Sequence, residues 1–99
     1  MIEVSIFFDE DDQYQDQPMA EYLMYYLMHH KINGASVFSA KMGFGHKHHL
    51  HKPGRIGAGD ERPLMLVFID DEIKVQSVLP HIKEVLKEGL VVLNEVTTL

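Results

Sequence analysis

Hydrophobic and polar positions alternate from the second residue onward. Ile2, Val4, Ile6 and Phe8 fall on one face and Glu3, Ser5 and Phe7 on the other, the period-two pattern of a strand with one side on a core. Residues 9–17 are polar and acidic and read as a solvated turn. Pro18 suits the first position of a helix, where its missing N–H would have no partner anyway. Leu23 with Leu27 and Met24 with Met28 repeat at helical spacing. Asn33-Gly34 supplies a left-handed stop, so a helix is predicted over 18–32. Residues 35–42 read as a second, partly buried strand.

Residues 43–62 have no usable period and include Gly43, Gly45, Pro53, Gly54, Gly57 and Gly59. Loops longer than about 12–15 residues are uncommon in compact domains and are usually functional or disordered. Residues 63–69 form a continuous apolar run, the mark of a strand buried on both sides or covered by helices. Asp70 or Asp71 can cap a following helix, in which Val75, Val78, Leu79, Ile82, Val85 and Leu86 fit helical spacing. Pro80 interrupts that pattern and predicts a kink, and Gly89 ends the element. Leu90–Leu93 resumes strand character, with Val96 and Leu99 continuing it. The order strand, helix, strand, long loop, strand, helix, strand predicts an α+β, ferredoxin-like βαββαβ fold over residues 1–99. In it a four-stranded antiparallel sheet carries both helices on one face. Phe7 and the run at 63–69 place apolar residues on the opposite face as well, which predicts a homo-oligomer.

The whole chain carries a formal net charge of -6, which argues against nucleic acid as a partner. The charge is unevenly spread. Residues 1–30 hold seven acids and no Lys or Arg, whereas residues 31–60 hold five bases and one acid, and four of the seven histidines. A positive segment of this kind attracts anions. There are no cysteines, which excludes disulfides, thiolate metal sites and a cysteine nucleophile. No apolar run approaches the roughly 20 residues of a membrane span. The N-terminus lacks the positive region of a secretory signal, so a cytoplasmic protein is expected.

Two stretches can carry chemistry. In Lys41-Met42-Gly43-Phe44-Gly45-His46-Lys47 two glycines allow close approach of a ligand to backbone. Their N–H groups can form an anion-binding nest, with Lys41 and Lys47 adding charge; the same pattern also suits a plain hinge at a strand end. In His46-Lys47-His48-His49-Leu50-His51 the imidazoles of His46, His48, His49 and His51 are spaced to share a divalent metal. Lys47 and Lys52 would repel the ion, and the alternative is a solvated polar loop. The acidic run Asp9–Asp12 lacks the glycine turn and terminal glutamate of a calcium loop. Tyr22, Tyr25 and Tyr26, with Met24 and Met28, read as core and subunit-contact residues; His29, His30 and His81 read as surface or helix-end residues. No nucleophile elbow, zinc-protease helix or Walker loop occurs, and no enzymatic activity is expected.

Asn33-Gly34-Ala35-Ser36-Val37-Phe38, Met42-Gly43-Phe44-Gly45-His46, His51, Asp60-Glu61-Arg62-Pro63-Leu64, Ile69-Asp70 and Leu79-Pro80 together resemble the domain of unknown function 190 family, a PII-like group, over nearly the whole chain. More distantly the sequence is similar to the PII nitrogen-regulatory proteins. The resemblance implies a homotrimer whose loop after the second strand, the T-loop of PII, reaches partners and whose intersubunit clefts hold a small-molecule ligand such as an adenine nucleotide. On that likeness Gly43, Phe44, Gly45, His46 and Lys47 stand where PII proteins hold phosphates. Ser36 stands where a hydroxyl helps seat the base, and Gly89 matches the glycine closing the second helix. One extra residue lies between Gly34 and Gly43, Leu90–Leu93 replace a second glycine–lysine pair, and no C-terminal arginines are present. These departures point to a smaller or less charged ligand, such as a mononucleotide. Residues 43–62 contain no tyrosine, so the uridylylation of PII has no counterpart. The family resemblance also implies a membrane transporter or channel as a partner. The alternative function is a histidine-loop divalent-metal binder or sensor with the architecture of the divalent-cation-tolerance (CutA) proteins.

Overall fold

The first strand, β1 (Ile2–Asp9), places Val4, Ile6 and Phe8 in the core, as its alternation requires, and leaves Phe7 exposed on the other side. The computed structural model describes residues 1–45, 47–53 and 62–99. A two-residue hairpin follows, β2 (Gln13–Tyr14) against β3 (Gln17–Pro18). Its turn residues Gln15 and Asp16 both have positive φ, 52° and 61°, as a type I′ turn demands. The acidic stretch expected to be only a solvated turn thus contains a small ordered ribbon, too short to leave a periodic signal. It is held in part by Tyr14, whose ring centroid lies 4.5 Å from that of Tyr22.

Helix α1 (Met19–His29) buries Met19, Leu23 and Leu27. It is shorter than the expected 18–32, with Pro18 at the N-cap and His30 at the C-cap. Lys31 takes the left-handed conformation (φ 65°) where Asn33-Gly34 was expected to stop the helix. The N–H of Ile32 reaches the carbonyl of Leu27 (3.1 Å), and that of Lys31 reaches Met28 (3.2 Å). These are the two bonds of a Schellman ending, and buried Ile32 and Leu27 make its apolar contact. That apolar contact sets the stop at Lys31, two residues before the Asn-Gly pair.

Strand β4 (Ala35–Ser39) is shorter and more exposed than its sequence suggested, because it lies at a sheet edge. Strand β5 (Pro63–Asp70) buries Leu64, Leu66, Phe68 and Asp70, leaves Met65 and Val67 half-buried, and exposes Ile69. Its apolar run therefore serves one helix-covered face and one open face. Helix α2 (Glu72–Val85) buries Val75, Val78, Ile82 and Val85 and runs through Pro80. Asp71 occupies its N-cap without a side-chain bond, while Asp70 receives the N–H groups of Asn33 (2.9 Å) and Asp71 (2.8 Å). The helix ends at Leu86, three residues before Gly89. Strand β6 (Leu90–Glu95) completes a sheet of order β4-β5-β1-β6, antiparallel throughout. Val96 extends the last pairing by one bond to the Met1 carbonyl (3.0 Å).

Both helices pack on the face that carries Val4, Ile6, Phe8, Leu64, Leu66 and Phe68. This is the ferredoxin-like α+β arrangement that the element order predicts. On the opposite face the register aligns Phe38, Met65, Phe7 and Leu90 in one row across all four strands. Phe38, Phe7 and Leu90 are exposed. The topology brings the end of β1, the starts of β5 and β6, and the loop after β4 to one end of the sheet.

Candidate functional site

At that end lies an open cleft of about 430 Å³, lined by Phe7, Phe8, Asp9, Phe44, Gly45, Pro63, Leu64, Glu88, Gly89 and Leu90. Phe7 to Asp9 arrive at the end of β1, Pro63 and Leu64 at the start of β5, and Glu88 to Leu90 from the turn before β6. Phe44 and Gly45 come from the loop, whose base is closed by a pair of backbone bonds. Gly43 N–H donates to the His51 carbonyl (3.0 Å), and His51 N–H donates back (2.8 Å). The His48 N–H then reaches the Gly45 carbonyl (2.9 Å), with His48 at positive φ (57°). The stretch expected to be irregular therefore starts as a narrow ribbon.

Close approach requires one glycine in the wall, Gly89, and is tight at a second, Gly45. A Cβ on Gly89 would lie 2.6 Å from Leu86 Cδ2 and 2.8 Å from the Phe7 carbonyl oxygen. A Cβ on Gly45 would lie 3.3 Å from Asp9 Oδ1. Asp9 is buried beneath this glycine. With Glu88 it gives the cleft two carboxylates, and no Lys, Arg or His lies among the described lining residues.

Of the residues singled out by sequence, Phe44, Gly45 and Gly89 meet in this cleft. Gly43 stands behind it, its N–H committed to His51 and its Cα facing Pro63. Lys47 stands outside the lining, ion-paired with Asp11 (3.1 Å). Lys41 is exposed just beyond β4, and Ser36 is exposed on the open sheet face next to Val67; neither lines the cleft. His46 lies outside the described residues, as do Asp60 and Glu61.

The remaining loop histidines do not form a ligand set. The ring nitrogens of His48, His49 and His51 do not all lie within 4.8 Å of one another, and among the described residues only the carboxylates of Asp9, Asp11 and Asp12 do so. His51 Nε2 accepts from Arg62 Nε (3.3 Å), which directs a cation at one of its two possible ligand atoms. Asp12 Oδ2 accepts the Asp9 N–H (3.1 Å), and Asp11 is paired with Lys47.

Sequence reasoning missed Phe7, Phe8, Asp9, Pro63, Leu64, Glu88 and Leu90 as cleft residues, and Arg62 next to Pro63. The guanidinium of Arg62 reaches Glu10 Oε1 (3.7 Å), and its carbonyl accepts the Glu10 N–H (2.9 Å). One signal was present: Phe7 is a large apolar residue on the outward face of β1. A second polar cluster lies between the helices, where the Tyr22 hydroxyl and His81 Nε2 are 2.6 Å apart. Burial pushes the Tyr22 and Tyr26 hydroxyls above their ordinary pKa, with neighbouring Tyr14 and Glu84 adding to the first and Tyr22 to the second. This cluster ties α1 to α2, and none of its residues lines the cleft. Among the described residues no helix is long and apolar enough to cross a membrane.

The chain has a βαββαβ fold with a loop springing from the end of its edge strand, beside a cleft walled by that loop and the glycine before the last strand. Residues 1–98 fit the DUF190 family, described as Uncharacterized ACR, and the chain belongs to that family. It is 30% identical over 91 residues to a UPF0166 protein of Aquifex aeolicus (strain VF5), covering 92% of this chain and 86% of that protein. Its fold is similar to that of CPII, a nitrogen regulatory PII-like protein from Thiomonas intermedia K12, solved bound to ADP, AMP and bicarbonate. That superposition has a TM-score of 0.69 at 14% identity and covers 96% of this chain and 84% of CPII.

Proposed function

We propose that this chain is a PII-like regulatory protein that binds an adenine nucleotide, favouring a mononucleotide, and passes the bound state to a partner protein through its 44–62 loop. The observation that carries this reading is the cleft at the loop base. Its walls are largely aromatic and aliphatic (Phe7, Phe8, Phe44, Pro63, Leu64, Leu90) and suit the faces of a planar base. Its carboxylates, Asp9 and Glu88, are acceptors for an exocyclic amine or ribose hydroxyls. Phosphate would sit at the rim, where Lys47 and Arg62 carry the nearby positive charge. A fold neighbour bound to ADP and AMP supports this choice of ligand class.

In this account the role is binding, without catalysis, in the cytoplasm. The row Phe38-Met65-Phe7-Leu90, in which Phe38, Phe7 and Leu90 are exposed and Met65 half-buried, supports burial against further copies, and the PII-like fold favours three. A neighbouring subunit would then close the open side of the cleft and add cations the single chain does not place there.

Titration calorimetry with AMP, ADP, adenosine and GMP tests the proposal. Wild type is expected to bind AMP and adenosine, and Phe44→Ala to weaken both roughly tenfold, the scale of one lost base–aromatic stack. Absence of heat with every adenine compound at millimolar concentration would refute the nucleotide reading.

A further inference from the structure

Two basic residues and two acidic residues that flank the cleft lining in sequence meet in ion pairs: Glu10 follows Asp9, Arg62 precedes Pro63, and Lys47 lies two residues after Gly45. Lys47 Nζ lies 3.1 Å from Asp11 Oδ2, and Arg62 Nη1 lies 3.7 Å from Glu10 Oε1. Both acids belong to the same turn, between β1 and β2. Arg62 also donates to His51, whose backbone closes the loop base on Gly43. The described ends of the loop are therefore fastened to one acidic turn by two ion pairs. Each pair is about one-third to two-fifths exposed, so each is weak and exchangeable.

We infer that the acidic turn at Glu10 and Asp11 is a built-in competitor for the rim cations, an autoinhibitory clip that a ligand phosphate must displace to engage Lys47 and Arg62. The inference rests on the nucleotide reading of the cleft and adds a regulatory contact to it. The physical case is one of substitution. A carboxylate and a phosphate oxygen make the same charge-assisted contact with an ammonium or guanidinium. A tethered carboxylate is always at high local concentration, so it lowers the apparent affinity of a free anion. The nucleoside part of the ligand occupies the apolar wall and does not compete. The clip therefore penalises phosphate and leaves the base untouched, and displacement of Asp11 alters what holds the loop.

The test compares AMP and adenosine binding by calorimetry in wild type, Asp11→Asn, Asp11→Glu and Asp16→Asn, with amide hydrogen exchange of residues 43–53 in each unliganded protein. Asp11→Asn is expected to bind AMP about two- to fivefold more tightly, the worth of one exposed ion pair, with adenosine unchanged and faster exchange in the loop. Asp11→Glu keeps the charge and is expected to match wild type. Asp16→Asn removes the same charge from the β2–β3 turn and is expected to leave AMP binding near wild type. Unchanged AMP affinity in Asp11→Asn, in a wild type that binds AMP, would overturn the clip and leave the nucleotide reading standing. An equal gain in Asp16→Asn would overturn it too, by assigning the effect to total charge. Failure of wild type to bind either compound would overturn both.

Discussion

At the scale of single residues, three positions report how local packing and backbone geometry hold the fold. Gly89 has no room for a methyl group: Leu86 and the Phe7 carbonyl occupy that space. Gly89→Ala is therefore expected to cost about 1–3 kcal/mol, read as a lower urea midpoint. Lys31 holds a left-handed conformation that glycine adopts freely, so Lys31→Gly should raise stability by up to about 1 kcal/mol in the same assay. Asp70 is fully buried. Burial alone would raise its pKa; the N–H groups of Asn33 and Asp71 and the ammonium of Lys74 outweigh that and hold it below the ordinary value. A carboxyl depressed in the folded state contributes stability that is fully present above its unfolded value of about 3.9 and is lost as pH falls through the folded value. Asp70→Asn should thus destabilise at pH 7 by about 1–3 kcal/mol, and the gap from wild type should narrow in urea titrations below about pH 4. Of these residues Gly89 was legible in the sequence, although as a helix stop rather than a close contact. Lys31 was not legible, because no local signal marks a lysine for φ 65°; the packing of Ile32 on Leu27 decides it.

At the scale of elements, β1 and the two helices could be read from periodicity because each has a face that the core demands, and β5 could be read from its continuous apolar run. Edge and end effects could not. Strand β4 and the close of α1 were overextended, since exposure on an edge and a helix stop set by tertiary contact leave the alternation of residues unchanged. The β2–β3 hairpin was hidden inside an acidic stretch, and its turn uses Gln15-Asp16 where Asn-Gly is the favoured pair. Replacing Gln15-Asp16 by Asn-Gly should relieve both positive-φ positions and raise the melting temperature by roughly 2–6 °C, with the fold unchanged by circular dichroism. The loop base was legible as Gly43-Phe44-Gly45, but its pairing partner was not. His51 lies eight residues on, in a segment read for its imidazoles, and the contact it makes to Gly43 is through its backbone.

At the scale of the whole molecule, the total charge of -6 conceals two oppositely charged segments that the fold brings together beside one cleft. The sequence pointed to that neighbourhood through Phe44, Gly45 and Gly89. It could not indicate Asp9, Glu88 or Arg62, because their meeting depends on the antiparallel order of β5, β1 and β6. The same order assembles the apolar row Phe38-Met65-Phe7-Leu90 on the open sheet face. Light scattering should give three times the 11.4 kDa chain mass, and Met65→Lys should shift the protein toward monomer; a wild-type monomer would contradict the assembly. The most direct test of the account is an NMR titration of the uniformly labelled protein with AMP, following backbone amides. The account predicts shifts concentrated at Phe44, Gly45, Gly89 and Leu90, with smaller changes at Asp11 and Lys47. Saturating AMP that leaves these amides unmoved, or moves only residues remote from the cleft, would contradict it.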